Sequence, residues 1–234
     1  MFLRLSKRLS FKSSSVKQKM SANNYSKASE LLNPKKTNAK ITSITPLNND
    51  QSRFIKLKKI DYITPLGDKA VWEMATRSTR PIDSKVDAVI IIPVLKDGEG
   101  NKQLLFVRQF RPPIGGICVE FPAGLIDPND SIESCALREL KEETGYIGKI
   151  RRKSNILWSD PGLADANCII VWVDVDLTID ENINPKPHWM DHEVIEVVKV
   201  NFKDVAKTID DWSNQGYLID SKVQSFIFGM SLND

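Results

Sequence analysis

One segment limits the possible folds of the chain more than any other feature. It predicts a helix and also shows which face of that helix must be buried. Between Gly124 and Tyr146, the apolar residues Ile132, Ala136 and Leu140 recur at every fourth position. This spacing is typical of an amphipathic helix that packs one face against a core. The segment therefore predicts a helix in a layered domain.

The ends of this helix are also marked in the sequence. Asp130 is a candidate N-cap, and Glu133 stands three residues later, where a reciprocal capping side chain is found. Gly145 stands where a left-handed residue ends many helices. These signals predict a helix over residues 131–144.

Three glutamates lie on the side of the helix opposite the apolar stripe. Glu139, Glu142 and Glu143 have the spacing i, i+3 and i+4, at which like charges repel and destabilise an isolated helix. Most glutamate triplets form solvated helix faces, but clustered carboxylate oxygens also suit Mg²⁺, which shares its coordination shell with substrate phosphates. The triplet alone leaves both interpretations open.

The complete order of residues favours the metal. It reads Gly124, five residues, Asp130, seven residues, then Arg138-Glu139-Leu140-Lys141-Glu142-Glu143-Thr144-Gly145-Tyr146. This order resembles the box of the Nudix hydrolases, Gly-x5-Glu-x7-Arg-Glu-apolar-x-Glu-Glu-x-Gly-apolar. The one departure is Asp130, which replaces a glutamate whose role in the family is supportive.

A second resemblance narrows the branch of the family. The chain reads Phe106-Val-Arg-Gln-Phe-Arg-Pro-Pro, then Gly115-Gly116, then Glu120-Phe-Pro-Ala-Gly124-Leu-Ile-Asp127. These runs are similar to those of the ADP-ribose pyrophosphatase (ADP-sugar diphosphatase) group, which also places a proline about fifteen residues beyond the box. Pro161 lies 15 residues after Tyr146, and the likeness covers roughly residues 54–230.

The alternation of strand and helix patterns indicates an α/β (α+β) domain. The resemblance implies a Nudix fold, a mixed β-sheet sandwiched between helices, preceded by an antiparallel β-hairpin subdomain. We expect a basic, disordered head over residues 1–50, the hairpin over 51–82 and the hydrolase domain over 83–234. The predicted strands are 54–62, 70–77, 86–94, 103–110, 166–175 and 193–200, and further helices are predicted at 202–213 and 221–230.

The resemblance also implies a metal site. In this group the Mg²⁺ ions, for which Mn²⁺ can substitute, would be held by residues of the box and of the segment before it. The implied ligands are Glu120, the backbone of Ala123, Glu139, Glu142 and Glu143. Glu142 and Glu143 are also implied as catalytic residues, and Arg138 as a structural residue that holds the box together.

The substrate-binding residues implied by the resemblance are Phe54, Trp72, Glu73, Arg77, Arg111 and Leu125. Arg77 and Arg111 would grip a diphosphate, since a guanidinium matches phosphate oxygens with two hydrogen bonds. Trp72 and Glu73 would stack on adenine and bond its amine. Surface arginines, and sheet packing for the aromatic residues, are the alternatives.

The general base is the least determined role. Glu193 resembles the loop carboxylate proposed as base in this branch, Asp191 competes with it, and His192 has a pKa suited to the task.

Net charge bears on localisation and partners. Residues 1–40 carry 10 Lys or Arg and one acid, whereas the rest of the chain carries 23 basic and 29 acidic residues, which argues against nucleic-acid binding by the body. The acid-free, Ser- and Arg-rich start resembles a mitochondrial transit peptide, and Met20 could begin a second, cytosolic or nuclear form. A disordered tail and a nucleic-acid-binding arm are the alternatives.

Composition excludes two further classes. The longest apolar run, from Ala88 to Leu95, is too short for a membrane span. The three cysteines are too few for a disulfide scaffold and indicate a reducing compartment.

The leading functional prediction is Mg²⁺-dependent hydrolysis of ADP-ribose to AMP and ribose 5-phosphate by a homodimer that exchanges its hairpins. Another nucleotide substrate, or a non-catalytic nucleotide-binding scaffold, is the alternative.

Overall fold

The computed structural model describes residues 27–189 and 193–231. The predicted targeting segment, Met20, Asp191 and His192 lie outside the described residues. Across the part of the chain that is described, none of the helices has the length and apolar character needed to span a membrane.

An antiparallel hairpin precedes the main domain, as the sequence predicts. Strand β1 (Ile55–Ile63) pairs with strand β2 (Lys69–Arg77), and Ile55 lies opposite Arg77. Gly67 has a φ of 89° in the connecting turn, a conformation that favours glycine. The hairpin forms its own two-stranded sheet.

The main domain is built on a mixed sheet. Its strands are β3 (Ala88–Lys96), β4 (Lys102–Arg111), β5 (Gly116–Glu120), β6 (Ala123–Leu125), β7 (Lys149–Lys153), β8 (Leu157–Trp158), β9 (Asn167–Asp176), β10 (Glu196–Asn201) and β11 (Leu218–Ile219). The order is β11-β5-β4-β3-β9-β7, with β10 on β4, β6 on β3 and β8 on β9. The pairs β3–β9 and β11–β5 are parallel, and the other pairs are antiparallel.

Helices cover both faces of this sheet. They are α1 (Ala28–Leu31), α2 (Ile132–Thr144), α3 (Asp180–Ile183), α4 (Val205–Gln215) and α5 (Ser221–Ser231). Strand β3 alternates its side chains between two cores: Ile90 and Ile92 pack with α4 and α5, whereas Val89 and Ile91 pack with α2. The predicted sandwich of a mixed sheet between helices is confirmed.

The sequence prediction misses the short strands. Strands β5, β6, β7, β8 and β11 have two to five residues each. Such lengths are too short for an alternating pattern to stand out. The strand predicted from Glu193 begins only at Glu196.

Part of the head that was expected to be disordered, over residues 1–50, packs on the domain. Ala28 and Leu32 are each 3% exposed, and Leu32 belongs to the core beside α4 and α5. Further along, Ile41 lies against Gly115, the residue before β5. A few apolar residues in a basic, polar segment are enough to dock it on the domain.

Replacing Leu32 with alanine tests this docking. We expect Leu32→Ala to lower the free energy of unfolding by about 2–5 kcal/mol, because a buried leucine is lost and a cavity is left. The measurement is urea denaturation. Leu31→Ala is the matched control, since Leu31 is 44% exposed and its truncation should cost little. Equal stability of the two variants would show that the segment is not docked in solution.

Candidate active site

The helix that carries the glutamates begins one residue later than predicted. Ser131, not Asp130, is the N-cap, and its hydroxyl accepts a hydrogen bond from the Ser134 N–H at 3.0 Å. The Ser134 hydroxyl in turn accepts a hydrogen bond from the Ser131 N–H at 2.9 Å, which completes a capping box without Glu133. Glu133 pairs instead with Lys153.

The other end of α2 is closed by Gly145, as predicted. Its φ is 79°, and a Cβ at this position would lie 2.4 Å from the backbone nitrogen of Lys186. Conformation and space both require glycine here. Two hydrogen bonds then attach the following segment to the end of α2: the His188 N–H donates to the Glu142 carbonyl at 2.7 Å, and the Trp189 indole donates to the Glu143 carbonyl at 3.1 Å.

The carboxylate of Glu139 is fully buried beneath Gly124. Glu139 is 0% exposed, so it does not lie on a solvated helix face. A Cβ on Gly124 would lie 1.9 Å from the carboxylate carbon. No side chain fits there, and the glycine of the motif is therefore explained by the space that Glu139 needs.

Arg138 joins the carboxylates of the box. Its guanidinium lies 2.7 Å from Glu139, 3.3 Å from Glu142 and 2.6 Å from Asp130. Burial lowers the pKa of Arg138, but the hydrogen bond and charge of Asp130 and the charge of Glu142 raise it overall, so the arginine stays charged. The structural role expected for Arg138 agrees with these contacts, and Asp130 supports the box despite its shorter side chain.

Glu143 connects the helix to the segment before the box. It is 8% exposed, and its carboxylate accepts a hydrogen bond from the Ala123 N–H at 3.1 Å. Ala123 begins strand β6, so this bond fixes the distance between helix and strand. Three of the predicted metal-binding residues, Glu139, Glu143 and Ala123, are thus brought together around Gly124.

A fourth predicted ligand, Glu120, is held by an arginine. Arg111 donates two hydrogen bonds to its carboxylate, one from Nε at 2.8 Å and one from the terminal nitrogen. Gln109 donates a third at 3.2 Å. Burial lowers the pKa of Arg111, but the bond to Glu120 and its charge raise it overall, so the guanidinium stays charged.

A cavity of about 440 Å³ lies beside these groups. Of the residues predicted to contact substrate or metal, four line it: Arg77, Arg111, Glu120 and Ala123. Arg77 reaches it from the end of the hairpin, whereas Arg111 comes from the end of β4. The cavity therefore joins two guanidinium groups to a carboxylate.

The remaining hairpin residues lie elsewhere. Trp72 is half exposed, and its indole donates to the Gly162 carbonyl at 3.1 Å. Glu73 is exposed, and Phe54 is partly buried just before β1. None of these three is among the described residues that line the cavity, so their contacts with substrate remain predictions.

Two further predicted residues are also separate from the cavity lining. Leu125 is 6% exposed and packs in the core beside α4 and α5. Glu193 is partly buried and comes shortly before β10. Contact of Leu125 with substrate therefore remains a prediction. The role of general base also remains a prediction, for Glu193 and for the alternatives Asp191 and His192.

Sequence reasoning missed Gln109 and the cysteines of the cavity. The position of Gln109 inside the Phe-Val-Arg-Gln-Phe-Arg-Pro-Pro run was the available signal. Cys118 and Cys168 line the cavity, and burial raises the pKa of both thiols. Both stay protonated at neutral pH, which argues against a thiolate nucleophile.

The donor chemistry fits a divalent cation. Among the described residues, no three His, Cys, Asp or Glu side chains are grouped closely enough to hold a metal ion, and Arg138 and Arg111 form ion pairs with the carboxylates. Carboxylate oxygens are nevertheless the ligands that hard cations prefer. The Glu139 carboxylate fills the space beside Gly124, and the Glu143 carboxylate accepts from the neighbouring Ala123 N–H, so two carboxylates are held close to this turn of the chain.

Comparison with known proteins agrees with this geometry. The NUDIX domain model matches residues 84–220. An ADP-ribose pyrophosphatase of Saccharomyces cerevisiae is 41% identical over 179 residues, which cover 76% of this chain and 77% of the yeast protein. An ADP-sugar pyrophosphatase of Mus musculus is 37% identical over 183 residues, 78% of this chain and 83% of the mouse protein.

A solved structure matches the fold. The crystal structure of an ADP compounds hydrolase superposes with a TM-score of 0.51 at 24% identity, over 68% of this chain and 77% of that one.

The chain belongs to the Nudix family and is a Nudix hydrolase. Nudix hydrolases generally use divalent metal ions.

Proposed function

We propose that this enzyme hydrolyses the pyrophosphate bond of ADP-ribose and related ADP-sugars, giving AMP and the sugar phosphate. The observation that carries the proposal is the cavity in which Arg77 and Arg111 lie beside Glu120 and Ala123. Two cationic forks suit a diphosphate, and the adjoining carboxylates suit the metal that such a reaction uses. The names of the yeast and mouse relatives support the same substrate class.

Mg²⁺, or Mn²⁺ in its place, would be held by Glu120, Glu139, Glu142, Glu143 and the backbone of Ala123. When bound, the metal neutralises phosphate charge and acidifies a coordinated water. Glu139 would contribute a carboxylate that burial beneath Gly124 keeps in one position. Glu143 would be oriented by its bond to the Ala123 N–H.

The arginines would bind and orient the diphosphate, so that the phosphorus lies toward the carboxylates. Glu193 would accept the proton of the attacking water, with Asp191 and His192 as the competing candidates. In phosphoryl transfer the protein contributes mainly position and charge neutralisation. The proposal therefore assigns the largest effects to the carboxylates and arginines.

A substrate panel tests the proposed activity. With Mg²⁺ present, we expect kcat/KM to be higher for ADP-ribose than for nucleoside triphosphates, and EDTA to abolish turnover. Glu143→Gln should lower kcat at least about 100-fold, since it removes a charged group from the reacting centre. The measurement is release of AMP under steady-state conditions.

The control variant is Glu99→Gln, which changes the same side chain in an exposed turn far from the box. It should leave kcat unchanged. A higher kcat/KM for a nucleoside triphosphate would contradict the proposed substrate. Full activity in EDTA would contradict the proposed need for a metal ion.

We further propose a homodimer in which the hairpin of one chain completes the cavity of the other. One hairpin face lies beside the segment 158–165: Ile60, Trp72 and Met74 line a cavity with it, and the Trp72 indole donates to the Gly162 carbonyl. Three apolar residues lie outside this contact and are exposed: Leu57 by 65%, Ile63 by 60% and Val71 by 55%. A second copy would cover this face, which also carries Glu73, whereas Trp72 lies on the opposite face and would reach the partner's substrate with its exposed half.

A charge on this hairpin face should separate the chains. We expect Leu57→Lys to convert the dimer to monomer in sedimentation velocity and to raise KM for ADP-ribose. Desolvating a lysine inside an apolar contact is unfavourable. Phe228→Lys on α5 is the matched control, because Phe228 is also 65% exposed. A wild-type protein that is monomeric and fully active would exclude the dimer.

A further inference from the structure

The position of Arg77 at the cavity is fixed by hydrogen bonds of the residues before and after it. Before it, the Ala75 N–H donates to the Leu163 carbonyl at 2.9 Å, and the Thr76 hydroxyl donates to Asp165 at 3.0 Å. After it, Arg80 also reaches Asp165, donating to the backbone carbonyl at 2.6 Å. The chain around Arg77 is thus attached at both ends to the same segment.

Arg80 makes its main contact with Asp87. The two side chains form a two-point ion pair, Nε to Oδ1 at 2.9 Å and Nη2 to Oδ2 at 2.8 Å. The Asp87 side chain is 1% exposed, whereas that of Arg80 is 26% exposed. Arg80 therefore closes the outer side of a buried carboxylate.

Asp87 is held just behind the wall of the cavity. Its carboxylate accepts from the Asn167 N–H at 2.9 Å, and its own N–H donates to the Asn167 side chain at 3.0 Å. Asn167 and the next residue after Asp87, Ala88, both line the cavity. A negative charge at this depth is very unfavourable without a cationic partner.

Arg77 lines the same cavity as Ala88, which follows Asp87, and Asn167, which is hydrogen-bonded to Asp87. Burial lowers the pKa of Arg77, while Asp87 raises it and Arg111 lowers it. If Arg80 did not neutralise Asp87, the uncompensated negative charge would attract Arg77 as a cation on the same cavity. Pairing would draw the guanidinium of Arg77 away from the cavity.

We propose that Arg80 is a positioning residue for Arg77. By neutralising Asp87, Arg80 keeps the guanidinium of Arg77 on the cavity, where it binds the diphosphate of a nucleotide substrate. The proposal rests on the proposed function for the identity of that substrate. The ion pair is thus part of substrate recognition although it does not touch the substrate.

Calorimetric titration with inorganic pyrophosphate as the probe tests this role without relying on turnover. Arg80→Met keeps the length of the side chain and removes its charge. We expect it to weaken pyrophosphate binding roughly 10- to 100-fold, the effect of losing a charge-assisted contact. In turnover, KM for ADP-ribose should rise by a similar factor, with a smaller change in kcat.

The decisive variant is the pair Arg80→Met with Asp87→Asn. Asparagine keeps an oxygen for the Asn167 N–H but removes the charge that attracts Arg77. We expect the second substitution to restore pyrophosphate affinity, measured by calorimetry on the folded fraction, because removal of the unpaired charge also relieves any loss of stability. A double variant that binds no better than Arg80→Met would overturn the proposal.

Arg80→Lys covers the case in which Arg80→Met does not fold. Lysine keeps the charge but not the fork, so affinity should stay near that of the wild type. Affinity as weak as that of Arg77→Ala would overturn the proposal. A wild-type enzyme that binds pyrophosphate with this pattern, yet does not hydrolyse ADP-ribose, would refute the proposed function alone.

Discussion

The site depends on one buried carboxylate. Glu139 lies under Gly124 with no solvent exposure, and its charge is matched by Arg138. A buried charge of this kind is tolerated only with a partner in good geometry. Once Glu139 is fixed, the orientation of α2 follows, and Glu143 meets the Ala123 N–H on the opposing strand. The rest of the acidic cluster takes its position from this contact.

Around that centre, ion pairs determine where the cationic groups lie. Arg111 pairs with Glu120 at the cavity, and Arg80 pairs with Asp87 behind it. Exposed ion pairs contribute little to stability, but these are largely enclosed. Their effect is on position, since each one fixes a guanidinium relative to the cavity. Recognition of a diphosphate would depend on this arrangement as much as on the residues that touch it.

The parts of the fold that follow from the sequence are those with long periodic patterns. The burial of α2 follows from its apolar stripe, which repeats over more than two helical turns. The burial of β3 follows from its continuous run of apolar residues. The burial of Leu32 had no such signal, since one apolar residue in a basic segment does not form a pattern. The prediction of Asp130 as N-cap was wrong, because the hydroxyl of Ser131 caps the helix one residue later.

The site itself was predictable where spacing sets it and not where the tertiary fold sets it. The positions of Glu139 and Glu143 follow from the helical repeat. Arg80 and Asp87 carry no motif, and their partnership with Asn167 joins residues about 80 positions apart in the chain. Such contacts arise only when β3 and β9 pair.

The most direct test of the central claim is the affinity of the site for a paramagnetic metal. Mn²⁺ binding, followed by electron paramagnetic resonance, should weaken at least about 10-fold in Gly124→Ala, because a Cβ at that position displaces Glu139. Gly229→Ala on α5 has nothing within 4 Å of its Cβ and should bind as the wild type does. Unchanged Mn²⁺ affinity in a folded Gly124→Ala protein would contradict the account.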